Sequence, residues 1–467
     1  MVTLLLLLLP SCGPADVVPA DDTGLPSSPT SGQGLLNLRI EHNLEDDGCL
    51  LTGDCRFELL QDGDPTAWLD EIGTMGDLPV LHWDQAVPWT LFDQDPLGDR
   101  VAFYDARLDA DLRLYIDGFA HHFAEKGDGY LALSPLDGTR DRLTPLRGTD
   151  GDLPFTSACP DLGATMQAPD GTDFQPTRAW TNFALYMAEK LGPRHLALGV
   201  ELDLYAQLCP SSWPSLLQLY RDSYDAVRPQ VPPQTVLFAT HTWTGLIGWD
   251  DTCRELTWSP CDQEPPAFEG TLDPELCYPI RRDTLDALAE GGRLELLALS
   301  FYPDALLMNV EGAPAGFLRA WPDTWDGDEA TACQAQAALP PLLDPFEPLD
   351  RLGWDGPIAI VETSARSCPT LAQVSDGAQS WIFQLPASPE SELYWVDRTL
   401  RLAAERELSF TVWSFARDYP PLGPWVFQQG VTDPSVWSLL NTWPCSGLQD
   451  ADGQPKGEIH ARWLAGP

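Results

Sequence analysis

Eight short apolar runs, most of them separated by segments of helical periodicity, restrict the fold of this chain more than any other feature. They cover residues 35–40, 78–83, 129–134, 196–202, 235–240, 294–301, 357–363 and 408–415. Near-continuous apolar runs of this length read as strands buried on both faces, which pair parallel through crossover helices. The spacing between them supplies the helices. Over 105–126, Leu108, Leu112, Tyr115, Ile116, Phe119 and Phe123 recur on one helical face. Segments 178–191, closed by Gly192-Pro193, and 213–227, 281–290 and 390–406 follow the same rule. Eight such units without a Gly-rich phosphate loop predict an α/β chain folded as a (β/α)8 TIM barrel with long, disulfide-bearing loops; an open doubly wound sheet is the alternative. A barrel presents its functional residues at the carboxyl ends of the strands, and the long connections 249–279 and 304–355 both follow strand ends.

The chain divides into three parts. Residues 1–12, MVTLLLLLLPSC, read as a shortened export signal ending in Leu9-Pro10-Ser11-Cys12, which resembles a bacterial lipoprotein box with Cys12 as the lipidated residue. Residues 13–34, rich in Pro, Ser, Thr, Gly and Asp, read as a flexible linker, and 35–467 as a single folded domain. Removing Cys12 from the 11 cysteines leaves an even set compatible with up to five disulfides in an oxidising compartment, their pairing open. The expected location is the cell envelope or outside the cell. The formal net charge of -43 repels phosphate backbones and excludes nucleic acid as a partner. Contact with a membrane is expected only through the Cys12 lipid, and the chain is expected to act as a monomer.

Two of the apolar runs end by delivering acids. Leu196-Ala-Leu-Gly-Val-Glu-Leu-Asp-Leu-Tyr205 presents Glu201 and Asp203, and Pro357-Ile-Ala-Ile-Val-Glu-Thr363 presents Glu362. A pair of carboxyl groups on facing strands suits glycosidic bond cleavage: one donates a proton to the leaving oxygen while the other stays ionised. Around them Leu81-His-Trp-Asp-Gln-Ala-Val-Pro-Trp89 offers His82, Trp83, Asp84 and Trp89, with stacking faces beside hydrogen-bonding groups. His241, Trp243, Tyr302, Trp413 and Trp425 are further candidates to line a sugar cleft. No G-x-S-x-G or H-E-x-x-H occurs, which disfavours a serine esterase or a zinc hydrolase. No metal or other cofactor is implied.

Four pieces, in order, resemble the clan of retaining (β/α)8-barrel glycoside hydrolases, nearest its endo-β-1,4-galactanase-like branch. They are Gly199-Val-Glu-Leu-Asp203, Ser300-Phe-Tyr-Pro303, Pro357-Ile-Ala-Ile-Val-Glu-Thr363 and Val412-Trp-Ser414. The resemblance implies Glu201 as acid/base on the fourth strand and Glu362 as nucleophile on the seventh. It also implies Tyr302 as the residue orienting Glu362 and Trp413 as the floor under the sugar. The substrate implied is a β-linked polysaccharide or oligosaccharide, cleaved with retention. The chain departs from the family pattern at Val200, where an Asn is usual, and lacks an Arg in 78–83. Asp203 is expected to replace part of the missing polar contact from the same strand face as Glu201. These departures motivate the alternative of a non-catalytic carbohydrate-binding barrel lipoprotein.

Overall fold

The computed structural model describes residues 32–35, 65–83, 86–148, 152–247, 280–302, 321–322, 347–368, 370–375, 380–385, 387–418, 445–450 and 452–467. Seven parallel staves fall on apolar runs and the first lies just ahead of its own: β1 (Gly32–Leu35), β2 (Val80–Trp83), β3 (Tyr130–Leu133) and β4 (His195–Ala197). β5 is in two pieces, Val236–Phe238 and Thr240–Thr242, followed by β6 (Leu297–Ser300), β7 (Ile358–Thr363) and β8 (Phe410–Trp413). The ladders form two arcs, β2-β3-β4-β5 and β5-β6-β7-β8-β1. At one seam β5 passes from the first arc to the second through Ala239. At the other, Gly34 bridges Leu78, and the Leu78 amide donates to the Gln33 carbonyl at 2.9 Å. The eight parallel staves thus follow the order of a (β/α)8 barrel, with the two arcs joined at one seam by an isolated bridge instead of a ladder.

β1 corrects the expected domain boundary. The linker expected over 13–34 yields residues 32–34 to the barrel, while 36–40, expected as strand, lie outside the described residues. Gly-Gln-Gly has the composition of a spacer, yet here the small residues are a packing requirement. A Cβ on Gly34 would lie 2.5 Å from Val80 Cγ2 and 3.0 Å from the Leu78 carbonyl. Only a bare backbone lets β1 and β2 meet at this seam.

Helices α1 (Pro65–Met75), α2 (Ala110–Lys126), α3 (Pro176–Leu191), α4 (Leu202–Leu208) and α5 (Trp213–Val227) accompany the first arc. Helices α6 (Asp283–Ala289), α7 (Glu347–Leu352), α8 (Pro389–Glu405) and α9 (Gly457–Ala465) accompany the second. α2 starts at Ala110 rather than 105 because the Asp109 side chain caps it, accepting from the Leu112 amide at 2.8 Å. α9 packs against α8, and its Trp463 lies against Trp413 while donating from Nε1 to the Met75 carbonyl at 2.7 Å. The chain's last helix thereby ties β8 to α1 behind the β1–β2 seam.

Register decides which side chains face the barrel axis, because residues paired in a parallel ladder share a face and alternate along each strand. Tyr130 faces inward: its ring lies 4.9 Å from Phe410 of β8 and 5.9 Å from Phe238 of β5, strands that do not neighbour β3. His82, two residues on from Val80, Tyr130's partner in the ladder, shares that face. Trp83 does not; it packs outward on Tyr115 of α2 and Phe183 of α3. On the other arc Phe410 is inward, so Val412 and Ser414 are inward and Trp413 outward. Ser300 pairs with Glu362 after a register shift in β7, which turns Glu362 inward and Thr363 outward toward Trp395 of α8.

Two disulfides brace the loops at the strand ends. Cys159–Cys209 ties the β3–α3 connection to the end of α4, and Cys368–Cys445 ties the segment after β7 to the segment before α9. The first closes a loop of 50 residues, for which chain-entropy arguments give about 4 kcal/mol of stabilisation. The other cysteines lie outside the described residues.

Candidate active site

Glu362 sits at the inward end of β7 and is 6% exposed. The Tyr302 hydroxyl donates to its Oε2 at 2.9 Å and lies 3.0 Å from Ser414 Oγ. Burial first, and then the Glu362 charge, push the Tyr302 phenol well above its ordinary value, so it stays a neutral donor. On the other side of the carboxylate, His82 Nε2 of β2 lies 3.4 Å from Oε1. Glu362 is therefore held between a phenol from the end of β6 and an imidazole from β2.

Glu201 is positioned by a different device. The strand expected over 196–202 ends at Ala197, although Leu198 and Gly199 still exchange backbone bonds with β5. Glu201 then adopts a left-handed conformation with φ 51° and opens α4. Its amide donates to Thr240 Oγ1 at 2.8 Å, and its Oε2 accepts from Arg140 Nε at 3.1 Å. Arg140 is itself left-handed, with φ 60°, buried, and donates from Nη1 to the Asp137 carbonyl at 3.1 Å. Two non-glycine residues at positive φ cost about 1–3 kcal/mol each, and here they meet in one ion pair. The charges of Glu201 and Glu362 both bear on the buried phenols of Tyr130 and Tyr302. The two carboxylates thus share one electrostatic environment at the carboxyl end of the barrel.

Asp203 corrects the sequence-based expectation. It is not on Glu201's strand face, because the left-handed turn at Glu201 ends the strand, and Asp203 lies in the first turn of α4, fully buried. Its Oδ1 accepts from the Thr242 amide at 2.9 Å, and its Oδ2 from the Thr242 hydroxyl. The chain comes so near that a Cβ on Gly245 would meet Asp203 Oδ2 at 1.7 Å. Asp203 fastens α4 to β5 instead of facing a sugar. Burial, opposed by the Thr242 bonds, raises its carboxyl from 3.8 to about 7. A carboxyl raised on folding binds its proton more tightly in the folded chain, so its contribution to stability declines as pH rises from about 4 to about 7. Asp203→Asn is expected to remove that slope. Urea unfolding at pH 5 and pH 8 checks it: the stability gap between wild type and variant changes with pH if Asp203 titrates there, and is constant if it does not.

Four expected cleft aromatics are core residues. Trp83 is outward-facing; Trp89 packs on Phe174 and Trp180 and donates to the Thr144 carbonyl at 2.9 Å. Trp243 stacks on Phe301 at 5.1 Å. Trp413, expected under the sugar, is fully buried outside the barrel wall with its Nε1 on the Ser446 carbonyl at 2.9 Å. His241 pairs with Leu299 and so faces outward, away from Ser300 and Glu362; burial pushes its imidazole down to about 4, leaving it neutral. Asp84, Trp425 and Cys12 lie outside the described residues. Val200 is buried. Arg140, Thr240 and Ser414 were not marked by the sequence. Arg140 in particular sits in Gly-Thr-Arg-Asp-Arg, in the connection between β3 and α3. Among the described residues no three His, Cys, Asp or Glu side chains converge as a metal site requires.

No family model matches the chain, and no curated protein matches it. Solved structures do. A catalytic domain from Ignisphaera aggregans described as GH53 is 14% identical, with 95% of this chain and 98% of that one covered and a TM-score of 0.45. A fungal β-1,4-galactanase is 12% identical over 85% of this chain and 90% of that one, with a TM-score of 0.41. An exo-β-1,4-mannosidase from Opitutaceae bacterium strain TAV5 is 14% identical over 93% of this chain and 58% of that one, with a TM-score of 0.43.

Proposed function

We propose that this protein is a glycoside hydrolase that cleaves a β-linked polysaccharide with retention, using Glu201 as acid/base and Glu362 as nucleophile. The observation that carries the reading is that both carboxylates, from staves four and seven, bear on the same two phenols, Tyr130 and Tyr302. The ordered strand-end motifs of the sequence support it, as does the assignment of roles that the contacts allow. Glu362, against a phenol donor and an imidazole, is suited to remain ionised and attack an anomeric carbon. Glu201, less deeply buried, is suited to exchange its proton with a leaving oxygen or an incoming water. Action outside the cytoplasm is part of the proposal, supported by the two disulfides and tested by assaying exported and cytoplasmic fractions.

The test is a panel of neutral β-glucans, β-galactans and β-mannans followed by proton NMR of the first product. Release of the β-anomer supports the proposal; initial release of the α-anomer replaces retention by inversion, which needs about 6.5–9.5 Å between the carboxyls instead of about 5–5.5 Å. A glycan-binding barrel without turnover is the second reading. The Arg140–Glu201 ion pair favours it, since a carboxylate held by a guanidinium has to leave that contact before it can carry a proton. Calorimetric binding with no reducing ends released across the panel would select it.

A further inference from the structure

The Glu362 carboxylate is buried, and the phenol that donates to it is neutral. A buried carboxylate is stable as an anion only with a compensating cation or several strong donors. His82 supplies a basic nitrogen at 3.4 Å, is itself 4% exposed, and shares the inward face with Glu362. We propose that His82 is a positioning residue for Glu362: as an imidazolium it holds the carboxylate ionised and in place, so that the site is competent only while this histidine carries its proton. The inference rests on the reading of Glu362 as nucleophile. No bond is made or broken at His82; its proton comes from solvent and remains on the imidazole during attack.

The surroundings favour that state. From β7 His82 meets Glu362, and from the end of β6 the neutral Tyr302 on the same carboxylate. From β3 it meets its ladder partner Ala132, with the neutral phenol of Tyr130 one layer below. β8 contributes the Ser414 hydroxyl, which lies 3.0 Å from the Tyr302 hydroxyl. Among the described residues the charges at this end of the barrel include Glu201 and Arg140, which are paired with each other, and the buried Arg366 four residues after Glu362.

Two other buried histidines serve as controls within the molecule. His195 and His241 are both driven down to about 4, with burial as the main cause. Burial alone would pull His82 the same way, so the sign of its shift separates the cases. The experiment is a pH series of imidazole nitrogen–proton NMR spectra on the whole protein, with the His82 signals assigned by their loss in His82→Gln. The expected result is a His82 midpoint above the ordinary value of about 6.5, falling at least tenfold in proton affinity in Glu362→Gln. A midpoint below that value, or one unchanged in Glu362→Gln, overturns the proposal. Should Glu362→Gln fail to fold, the side of 6.5 on which the wild-type midpoint falls decides alone.

This readout needs no turnover, so a raised His82 midpoint in a protein that cleaves nothing sinks the glycosidase reading and leaves the ion pair standing. Where turnover is present, His82→Gln lowers kcat with little change in KM and loses the part of the alkaline limb that His82 carries. His82→Arg restores activity and leaves only the alkaline limb set by the Glu201 proton, because arginine keeps its charge. An alkaline limb unchanged in His82→Arg counts against the proposal.

Discussion

Glu362→Ala is expected to lower glycan hydrolysis by roughly 10⁴-fold or more, the scale seen when a nucleophile that acts as part of a unit is removed. The loss should fall on kcat, because Glu362 is buried behind Tyr302 and His82 and has little surface to offer in ground-state binding. Glu201→Ala is expected to cost less, about 10²–10⁴-fold, and least with a leaving group that departs without a proton. Tyr302→Phe removes one donor and leaves the imidazole contact in place, so its effect should be smaller than either. Initial rates on one polysaccharide and on one aryl glycoside separate these cases. Full activity in Glu362→Ala would end the assignment of this carboxylate as nucleophile.

The largest stability effect is expected at Lys456. Its Nζ lies 3.1 Å from Glu392 Oε2 of α8 and 2.6 Å from Asp418 Oδ1. It also donates to Ser367 Oγ at 2.9 Å and to the Cys445 carbonyl at 2.8 Å. Glu392 is 0% exposed, and burial, countered by Lys456, pushes its carboxyl up; Asp418 moves the same way for the same reason. Lys456→Met strands the buried Glu392 and the half-buried Asp418, an arrangement that costs about 3–5 kcal/mol. Without the ammonium both carboxyls hold their protons more tightly in the folded state. The destabilisation should therefore be larger at pH 8 than at pH 5. Chemical denaturation at the two pH values measures it. A loss under 1 kcal/mol at both would show that the cluster does not anchor the C-terminal segment.

Much of this architecture was written locally. The apolar runs marked the staves, and Gly192-Pro193 marked the end of α3, because strand length and helix termination depend on a few consecutive residues. Glu201 and Glu362 stood out for the same reason: each is an acid that ends an apolar run. Arg140 did not, since only the folded β3–α3 connection brings it to Glu201. Nor did the role of Lys456, whose partners come from residues 367, 392, 418 and 445.

Trp83 and Trp413 face outward for one physical reason. His82 and Trp83 are adjacent, as are Trp413 and Ser414, so in each pair only one side chain can face the barrel axis. A strand exposed on one side announces its inward face by alternation, whereas a stave covered by helices outside and side chains inside is apolar on both faces. The amino-acid sequence by itself determined that buried strands would alternate with helices and that glutamates would follow or close two of the apolar runs. Which neighbours face the axis, that Asp203 turns away behind Glu201, and that His82 lies against Glu362 were decided only by register and by the left-handed turn at Glu201. Those depend on pairings between strands distant in sequence, and a chain apolar on both faces leaves no local mark of them.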